Sequence, residues 1–130
     1  MSPLASALES AQRFARAIGA RDWDALSNCL APQVTFRALV PSTNPFRERR
    51  GPADTVDQLR TWFQGGEPHQ LLEHQTTEVQ DCVHVRYRIR HREAGAWEIV
   101  EQQAYLEVGA EGITSVNLLC SGFRPAAPPP

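Results

Sequence analysis

The hydrophobic period of the chain changes once, near residue 70, and this change limits the possible folds more than any other feature. From Gln70 to Phe123 apolar and polar residues alternate, as in "HVRYRIRHR" over residues 84–92. Such alternation is typical of β-strands with one buried face. It is interrupted at "VQDC", "EAGA" and "GAEG", which are short enough to be tight turns. The segment is therefore predicted to form four antiparallel strands joined by hairpins.

The N-terminal part of the chain follows a helical period instead. Apolar positions in residues 4–18 recur at helical spacing, and Gly19 is a plausible C-cap for this first helix. Asp22 is a good N-cap for a second, shorter helix, which Pro32 would end. "QVTFRALV" is typical of a strand and "PSTNPFRERRG" of an exposed loop. Pro52 then begins a third helix, which the "GG" pair closes.

This order of elements predicts an α+β fold, in which three N-terminal helices pack on one face of a curved, mainly antiparallel sheet. With 130 residues the chain has the usual size of one domain, which we place at residues 1–124. The remaining residues 125–130 belong to a proline-rich tail that we expect to be disordered.

Charge and composition exclude several classes of function. The formal net charge of −2 and the pI near 6.1 are unfavourable for nucleic-acid binding. No secretory leader or membrane span is evident, and the three cysteines have no metal-ligand spacing, so we expect a cytoplasmic protein with no membrane association. The sequence has no phosphate loop, no nucleophile elbow and no zinc-site spacing of histidines and carboxylates. We therefore expect no metal and no cofactor.

Strand pairing gives the basic stripe of residues 84–92 a structural interpretation. A two-residue turn within "EAGA" places Arg88 opposite Glu101, and a turn within "VQDC" places Glu73 opposite Arg88. Glutamates on both neighbouring strands would then neutralise the stripe at least in part, with each cross-strand pair contributing about 0.2–1 kcal/mol. A charged sheet face thus explains the stripe better than a nucleic-acid site does.

The last hairpin predicts a surface for a second subunit. A turn at Ala110 and Glu111 would place four side chains on the outer face, beside the paired charges. An apolar patch in this position is typical of a subunit interface. We therefore expect a homodimer through Tyr105, Val116, Leu118 and Cys120, although a half-exposed sheet face is the alternative.

The opposite, helix-facing side of the sheet is too polar for a dry core, which predicts a pocket. Buried polar groups need partners, at a cost of about 1–3 kcal/mol when they lack them. The polar side chains on this face are His74, Tyr87, Gln102, Ser115, Asn117 and Ser121. The apolar walls predicted around them suit a hydrophobic small molecule, and are formed by Phe14, Ile18, Val34, Phe36, Trp62, Phe63, Val85 and Val100.

Three of these polar residues form one row across three strands and are candidates for catalysis. His74 would act as general base or acid, with Tyr87 donating to a developing oxyanion and Gln102 and Asn117 orienting the substrate. A purely structural polar row, satisfied internally, is an equal alternative.

Other charged and histidine residues are weaker candidates. Glu98 lies opposite His91, but so near the hairpin tip that both are expected in solvent. His69 and His84 are likewise expected in loops or on the surface. The arginine-rich cluster of residues 47–50 could close over the pocket and bind an anion, or simply be solvated.

The layout resembles the SnoaL-like branch of the nuclear transport factor 2-like superfamily, which includes ketosteroid isomerase and polyketide cyclases. The resemblance covers nearly the whole chain and is carried by three stretches: "FARAIGARDWDALSNCLAPQVTFRALVP", "RRGPADTVDQLRTWF" and "WEIVEQQAYLEVGAEGITSVNLLCSGFRP". It implies a cone-shaped α+β fold with an internal pocket and dimers formed through the sheets.

The family's catalytic residues are not carried over. The isomerase-like aspartate would fall near Ala38, the first-helix tyrosine near Phe14, and the second oxyanion carboxyl near Gln102 or Ala104. Where cyclase-like members have an acidic base in the last strand, this chain has Asn117, which cannot abstract a proton.

Three functions remain open at this point. The first is a cofactor-independent isomerase, cyclase, lyase or hydrolase acting on a hydrophobic small molecule. The second is a non-catalytic, dimeric small-molecule-binding module of the same fold. The third is an interaction or structural protein whose pocket is filled by its own side chains.

Overall fold

The computed structural model describes residues 3–41 and 45–130, and their side chains from Ser6 onward. The helices are α1 (Pro3–Ala20), α2 (Trp23–Asn28) and α3 (Pro52–Phe63). The strands are β1 (Leu30–Leu39), β2 (Arg49–Arg50), β3 (His69–Val79), β4 (Cys82–Glu93), β5 (Ala96–Gly109), β6 (Gly112–Cys120) and β7 (Arg124–Pro125). No helix in this part of the chain is long and apolar enough to cross a membrane.

The strands form one curved sheet in the order β2-β1-β6-β5-β4-β3, with β7 paired to β5. β1 runs parallel to β6, and the other neighbouring pairs are antiparallel. α1 packs against β3, β4 and β5, and α3 packs against β1. The predicted fold class is confirmed: three helices cover one face of a mostly antiparallel sheet that does not close.

Local sequence signals explain the helices. Ala11, Phe14, Ala15 and Ile18 recur at helical spacing on α1, and all four are fully buried. The side chain of Asp22 accepts a hydrogen bond from the backbone N–H of Ala25 at 3.1 Å, which caps α2 as predicted. α3 begins at Pro52 and ends at Phe63, as predicted.

The strands differ from the sequence prediction at three places: the start of β1, the loop that contains β2, and the start of the predicted tail. β1 begins at Leu30 rather than near residue 33, because Leu30 pairs with Ile113 of β6; the pairing is then irregular up to Thr35, across Pro32, which has no backbone N–H to donate. Part of the predicted exposed loop forms β2, which pairs with β1. Pro125, the first residue of the predicted tail, pairs with Glu98 of β5.

The charged outer face of β3, β4 and β5 has the predicted register. Arg88 lies opposite both Glu73 and Glu101. Arg86 joins the row, since its Nη1 lies 3.0 Å from carboxylate oxygens of Glu73 and Glu101. Burial raises the pKa of Glu101, but hydrogen bonds from Arg86 and Arg88 outweigh this effect and the net shift is downward. Arg86 and Arg88 of the basic stripe are therefore neutralised by their neighbours, whereas Arg90 contacts the neutral side chain of Gln70.

The pairing of β5 with β6 corrects the prediction for the last hairpin. The turn falls as expected, with Gly109 opposite Gly112, but a bulge then leaves Thr114 unpaired between Val108↔Ile113 and Glu107↔Ser115. Beyond the bulge every β6 side chain lies on the face opposite to the predicted one.

This shift moves three of the four residues predicted for the outer face to the inner one. Val116 and Leu118 are buried in the core, and Cys120 faces the same side as Gln102. Asn117, predicted for the pocket, is instead exposed on the outer face, where Ser115 also lies. The physical reason is that the bulge allows β6 to bury a valine and a leucine rather than a serine and an asparagine.

Gly112 allows the close approach of the β5–β6 turn to the start of β1. Its φ is +118°, and a Cβ atom there would lie 2.8 Å from the carbonyl oxygen of Cys29 and 3.1 Å from the backbone nitrogen of Ala31. These neighbours are backbone atoms, so they cannot move away without shifting β1.

We expect Gly112→Ala to lower the free energy of unfolding by about 2–4 kcal/mol, since it combines a left-handed backbone with a clash. Gly95→Ala is the matched control, because Gly95 also has a positive φ, of +82°, but has open space around its Cβ position. The control should cost only about 1 kcal/mol. Urea denaturation of both variants measures the difference, and equal losses would contradict the close-approach argument.

Candidate functional site

The predicted apolar walls lie in the hydrophobic core between the sheet and the helices, where they pack against one another. Phe14, Phe36, Phe63 and Val85 are 0% exposed, and Val100 is 2% exposed. Aromatic contacts fill the space between them: Phe14 lies against Tyr87 at 6.2 Å and Phe36 against Trp62 at 6.0 Å between ring centroids. The interior was predicted from the correct residues, but they pack against one another.

A cavity of about 280 Å³ lies at the rim of this core, and we call it the rim cavity. It opens where the end of β6 and the segment leading to β7 meet the end of β1 and α3. Its lining residues are Val40, Pro41, Trp62, Gln102, Cys120, Ser121, Gly122, Phe123 and Arg124. Trp62, Gln102 and Ser121 were predicted as pocket residues from the sequence, whereas the other six were not.

A chain of hydrogen bonds leads from the core to the wall of the rim cavity. The Tyr87 hydroxyl donates to Oε1 of Gln102 at 2.5 Å, and Nε2 of Gln102 donates to the Cys120 sulfur at 3.4 Å. Tyr87 and Gln102 are each 1% exposed. Burial raises the pKa of Tyr87 well above its usual value, so its phenol keeps its proton and holds the Gln102 amide in one orientation.

His74 is aligned with this row by strand pairing but is not part of its hydrogen-bond chain. It lies opposite Tyr87 on β3, as predicted, and is half-buried. The Tyr87 hydroxyl is directed to Gln102, and the His74 ring makes no hydrogen bond with any described residue. Neither His74 nor Tyr87 lines the rim cavity. Tyr87 thus lies outside the rim cavity and affects its wall only through the hydrogen bond to Gln102.

The histidines expected in solvent have different environments. His91 is only 2% exposed, with Nε2 at 2.9 Å from Oε1 of Glu98 and its ring stacked on Phe123. Nε2 of His69 lies 3.2 Å from the carbonyl oxygen of Ile18, and burial is the main cause that lowers the pKa of His69. The prediction was wrong for His91, because Phe123 covers the hairpin tip in a way that strand spacing alone does not reveal.

The arginine-rich cluster of residues 47–50 is held by its neighbours. Nη2 of Arg49 donates a hydrogen bond to Oε1 of Gln58 on α3, at 2.6 Å. Glu48 accepts from Arg37 at 2.6 Å and from Arg50 at 2.8 Å, which lowers the pKa of Glu48. None of these residues lines the rim cavity, so a role in closing over it gains no support.

We expect Tyr87→Phe to lower the free energy of unfolding by about 1–3 kcal/mol, because it leaves the buried Oε1 of Gln102 without its donor. Tyr105→Phe is the matched control, since Tyr105 is 49% exposed. The control should change stability by less than about 0.5 kcal/mol. Denaturant titration measures both, and a neutral Tyr87→Phe would show that the buried bond does not stabilise the fold.

Comparison with solved structures places the fold among known proteins. A candidate SnoaL-like polyketide cyclase from Jannaschia sp. CCS1 is 14% identical, with a TM-score of 0.74 over 93% of this chain and 90% of that one. A candidate polyketide cyclase from Xanthomonas campestris is 20% identical, with a TM-score of 0.70 over 87% and 88% of the two chains. A protein with a ketosteroid isomerase-like fold from Catenulispora acidiphila, in complex with trimethylamine, is 17% identical, with a TM-score of 0.67 over 91% and 85%.

Sequence comparison shows the family. No curated protein matches the chain. The family model described as a SnoaL-like domain matches residues 11–116, which include most of the three helices and nearly all of the five long strands. The resemblance inferred from the sequence is confirmed, and the chain belongs to the SnoaL-like domain family.

Proposed function

We propose that the protein binds a small, largely apolar organic molecule that carries a hydrogen-bond acceptor, and that the ligand occupies the rim cavity. The volume of about 280 Å³ is near the lower limit of small-molecule pockets. Trp62, Phe123, Val40 and Pro41 supply apolar walls, and the polar groups among them are few. This composition is typical of sites that bury most of a ligand and orient it with one or two polar contacts.

The observation that carries this proposal is the fixed amide of Gln102. Because Tyr87 occupies its oxygen, the amide turns its N–H donors toward Cys120 and the cavity. A thiol sulfur is a weak acceptor, and the contact is long at 3.4 Å. A carbonyl oxygen of a ligand would be a better partner, so binding would relieve the cost of an under-satisfied buried donor.

Arg124 adds a second polar contact at the mouth of the rim cavity. Its guanidinium forms no ion pair with the described residues, whereas Arg86 and Arg88 of the outer face are paired with glutamates. A ligand with a polar or anionic substituent at the solvent end would therefore be favoured over a pure hydrocarbon.

A cofactor-independent isomerase or cyclase is the second candidate function. It is favoured by the same amide, because an N–H held by a buried phenol could stabilise negative charge that develops on a carbonyl oxygen. The sequence assigned the proton acceptor to His74, but His74 lies on β3 beyond Tyr87 and does not line the rim cavity, so the reaction would need another acceptor there. Other proteins with this fold are described as candidate polyketide cyclases, which supports a small-molecule reaction of this general kind.

Binding can be tested with small aromatic ketones such as acetophenone and tetralone, titrated by calorimetry and by tryptophan fluorescence, to which Trp62 in the cavity wall contributes. We expect saturable binding to the wild-type protein, and at least about tenfold weaker binding to Gln102→Leu, since each lost hydrogen bond to a ligand costs roughly 1–2 kcal/mol. Gln103→Leu is the matched control, because Gln103 is the next residue on β5 but faces the outer side, where it contacts His84.

Failure of every ketone to bind, or equal binding by Gln102→Leu and Gln103→Leu, would remove the proposed role of the amide. Product analysis of any ketone that binds separates the two candidate functions. Turnover that is lost in Gln102→Leu and kept in Gln103→Leu would support the catalytic one, and binding without turnover would support the binding module.

We also propose that the protein forms a homodimer through the outer face of the sheet. The bulge in β6 leaves Tyr105 as the only exposed member of the predicted patch, but it adds Leu119 on the same face. Leu39 at the end of β1 is 66% exposed and Leu119 is 47% exposed. With Tyr105 they line a groove with a volume of about 470 Å³, and the exposed side chain of Asn117 also lines this groove.

We expect Leu119→Glu to shift the protein from dimer to monomer, because it places a charge in the centre of a desolvated apolar patch. Leu72→Glu is the matched control, since Leu72 is 40% exposed but lies on β3, at the other end of the sheet. Sedimentation velocity measures the oligomeric state. A wild-type monomer at all concentrations, or a dimer that survives Leu119→Glu, would contradict this interface.

A further inference from the structure

The tip of the β4–β5 hairpin brings together three side chains that could ligate a metal ion. His91 and Glu93 are two residues apart on β4, so they lie on the same face, and Glu98 lies directly opposite His91 on β5. One ligand atom from each of the three lies within 4.8 Å of the other two. Linear spacing in the sequence does not show this set, because it depends on pairing across a turn.

His91 is preorganised for such a role. Its ring is 2% exposed and is stacked on Phe123, with 4.7 Å between centroids and an interplanar angle of 5°. Nε2 lies 2.9 Å from Oε1 of Glu98, and Nδ1 is buried with no hydrogen-bond partner among the described residues. A buried ring nitrogen without a partner costs free energy, which is unexpected if the histidine serves packing alone.

The charges around His91 favour a cation. Within the described part of the chain, neither Glu93 nor Glu98 forms an ion pair with an arginine. The nearby cation Arg21 is engaged by Glu67 and by the carbonyl oxygens of Phe63 and Gly66. Two carboxylates thus flank one imidazole without a balancing positive charge, which raises the local affinity for a divalent ion.

The backbone at Gly65 and Gly66 packs closely against one side of this cluster. A Cβ atom on Gly65 would lie 2.5 Å from Oε1 of Glu93, and one on Gly66 would lie 2.8 Å from Nδ1 of His91. Any larger residue at either position would displace the donor atoms. The backbone between α3 and β3 therefore approaches the carboxylate and the imidazole as closely as a glycine pair allows.

From these observations we propose that His91, Glu93 and Glu98 bind a divalent cation of the zinc class. One imidazole nitrogen and two carboxylate oxygens are suitable ligands for zinc, whose bonds to them are about 2.0–2.2 Å long. Tetrahedral ligands are then about 3.4 Å apart, so the exposed Glu93 has to swing inward by a small amount. Water completes the coordination of the cation. The proposal of this metal site does not rest on the ligand proposed for the rim cavity.

The test uses the full-length, untagged chain, stripped with EDTA and titrated with Zn²⁺ by calorimetry and with Co²⁺ by absorption spectroscopy. We expect one equivalent of metal to bind, and about tenfold or greater weakening in both Glu93→Gln and Glu98→Gln, which keep the size of the side chain. Glu107→Gln is the matched control, because Glu107 is an exposed glutamate of β5 remote from the hairpin tip. Circular dichroism confirms that each variant is folded.

The free thiols need a separate control, because Cys82 and Cys120 are half-exposed. A Co²⁺ spectrum without sulfur charge-transfer bands, and binding unchanged in Cys82→Ser and Cys120→Ser, would support the nitrogen and oxygen site. Absence of stoichiometric binding at submillimolar metal, binding retained in both glutamate variants, or sulfur ligation would each overturn the proposal. Glu93 is exposed, so its variant remains informative even if Glu98→Gln destabilises the fold.

Discussion

The register between β5 and β6 determines what each face of this protein can do. A single unpaired residue, Thr114, separates the turn from the rest of the hairpin, and the Thr114 hydroxyl donates to the carbonyl oxygen of Glu107 at 3.2 Å within the bulge. Because side chains alternate along a strand, this one residue decides that Val116 and Leu118 complete the core. The same choice brings the Cys120 sulfur to the Gln102 amide and leaves Leu119 in solvent.

Much of the fold could be predicted from local signals in the sequence. Asp22 and Pro52 mark helix starts, and the turns around Gln80 and Ala94 set pairings that place Glu73, Arg88 and Glu101 in one row. These signals work because each depends on a few adjacent residues. The bulge could not be found in the same way, since "GAEGITS" fits a plain two-residue turn. The bulged register buries more apolar area than the plain two-residue turn, because it places Val116 and Leu118 in the core.

The candidate site was predicted less well, because cavities depend on how side chains fill space. Pattern reasoning correctly chose Phe14, Phe36 and Val85 as inward residues but could not tell a filled interior from an empty one. It found Gln102 through the polar row, yet missed Phe123 and Arg124, which follow the last long strand at the end of the predicted domain. Buried His91 was missed for the same reason, since Phe123 is its cover.

Phe123 connects the two proposed sites physically. Phe123 lines the rim cavity. Its ring also stacks on His91 and lies 6.0 Å from the ring of Phe63, between centroids. β7 holds the segment in place through the pairing of Ile99 with Arg124. The segment that places Arg124 at the cavity mouth therefore also covers the imidazole at the hairpin tip. Because a packed core does not deform continuously, a change at either site that moves Phe123 has to be transmitted to the other.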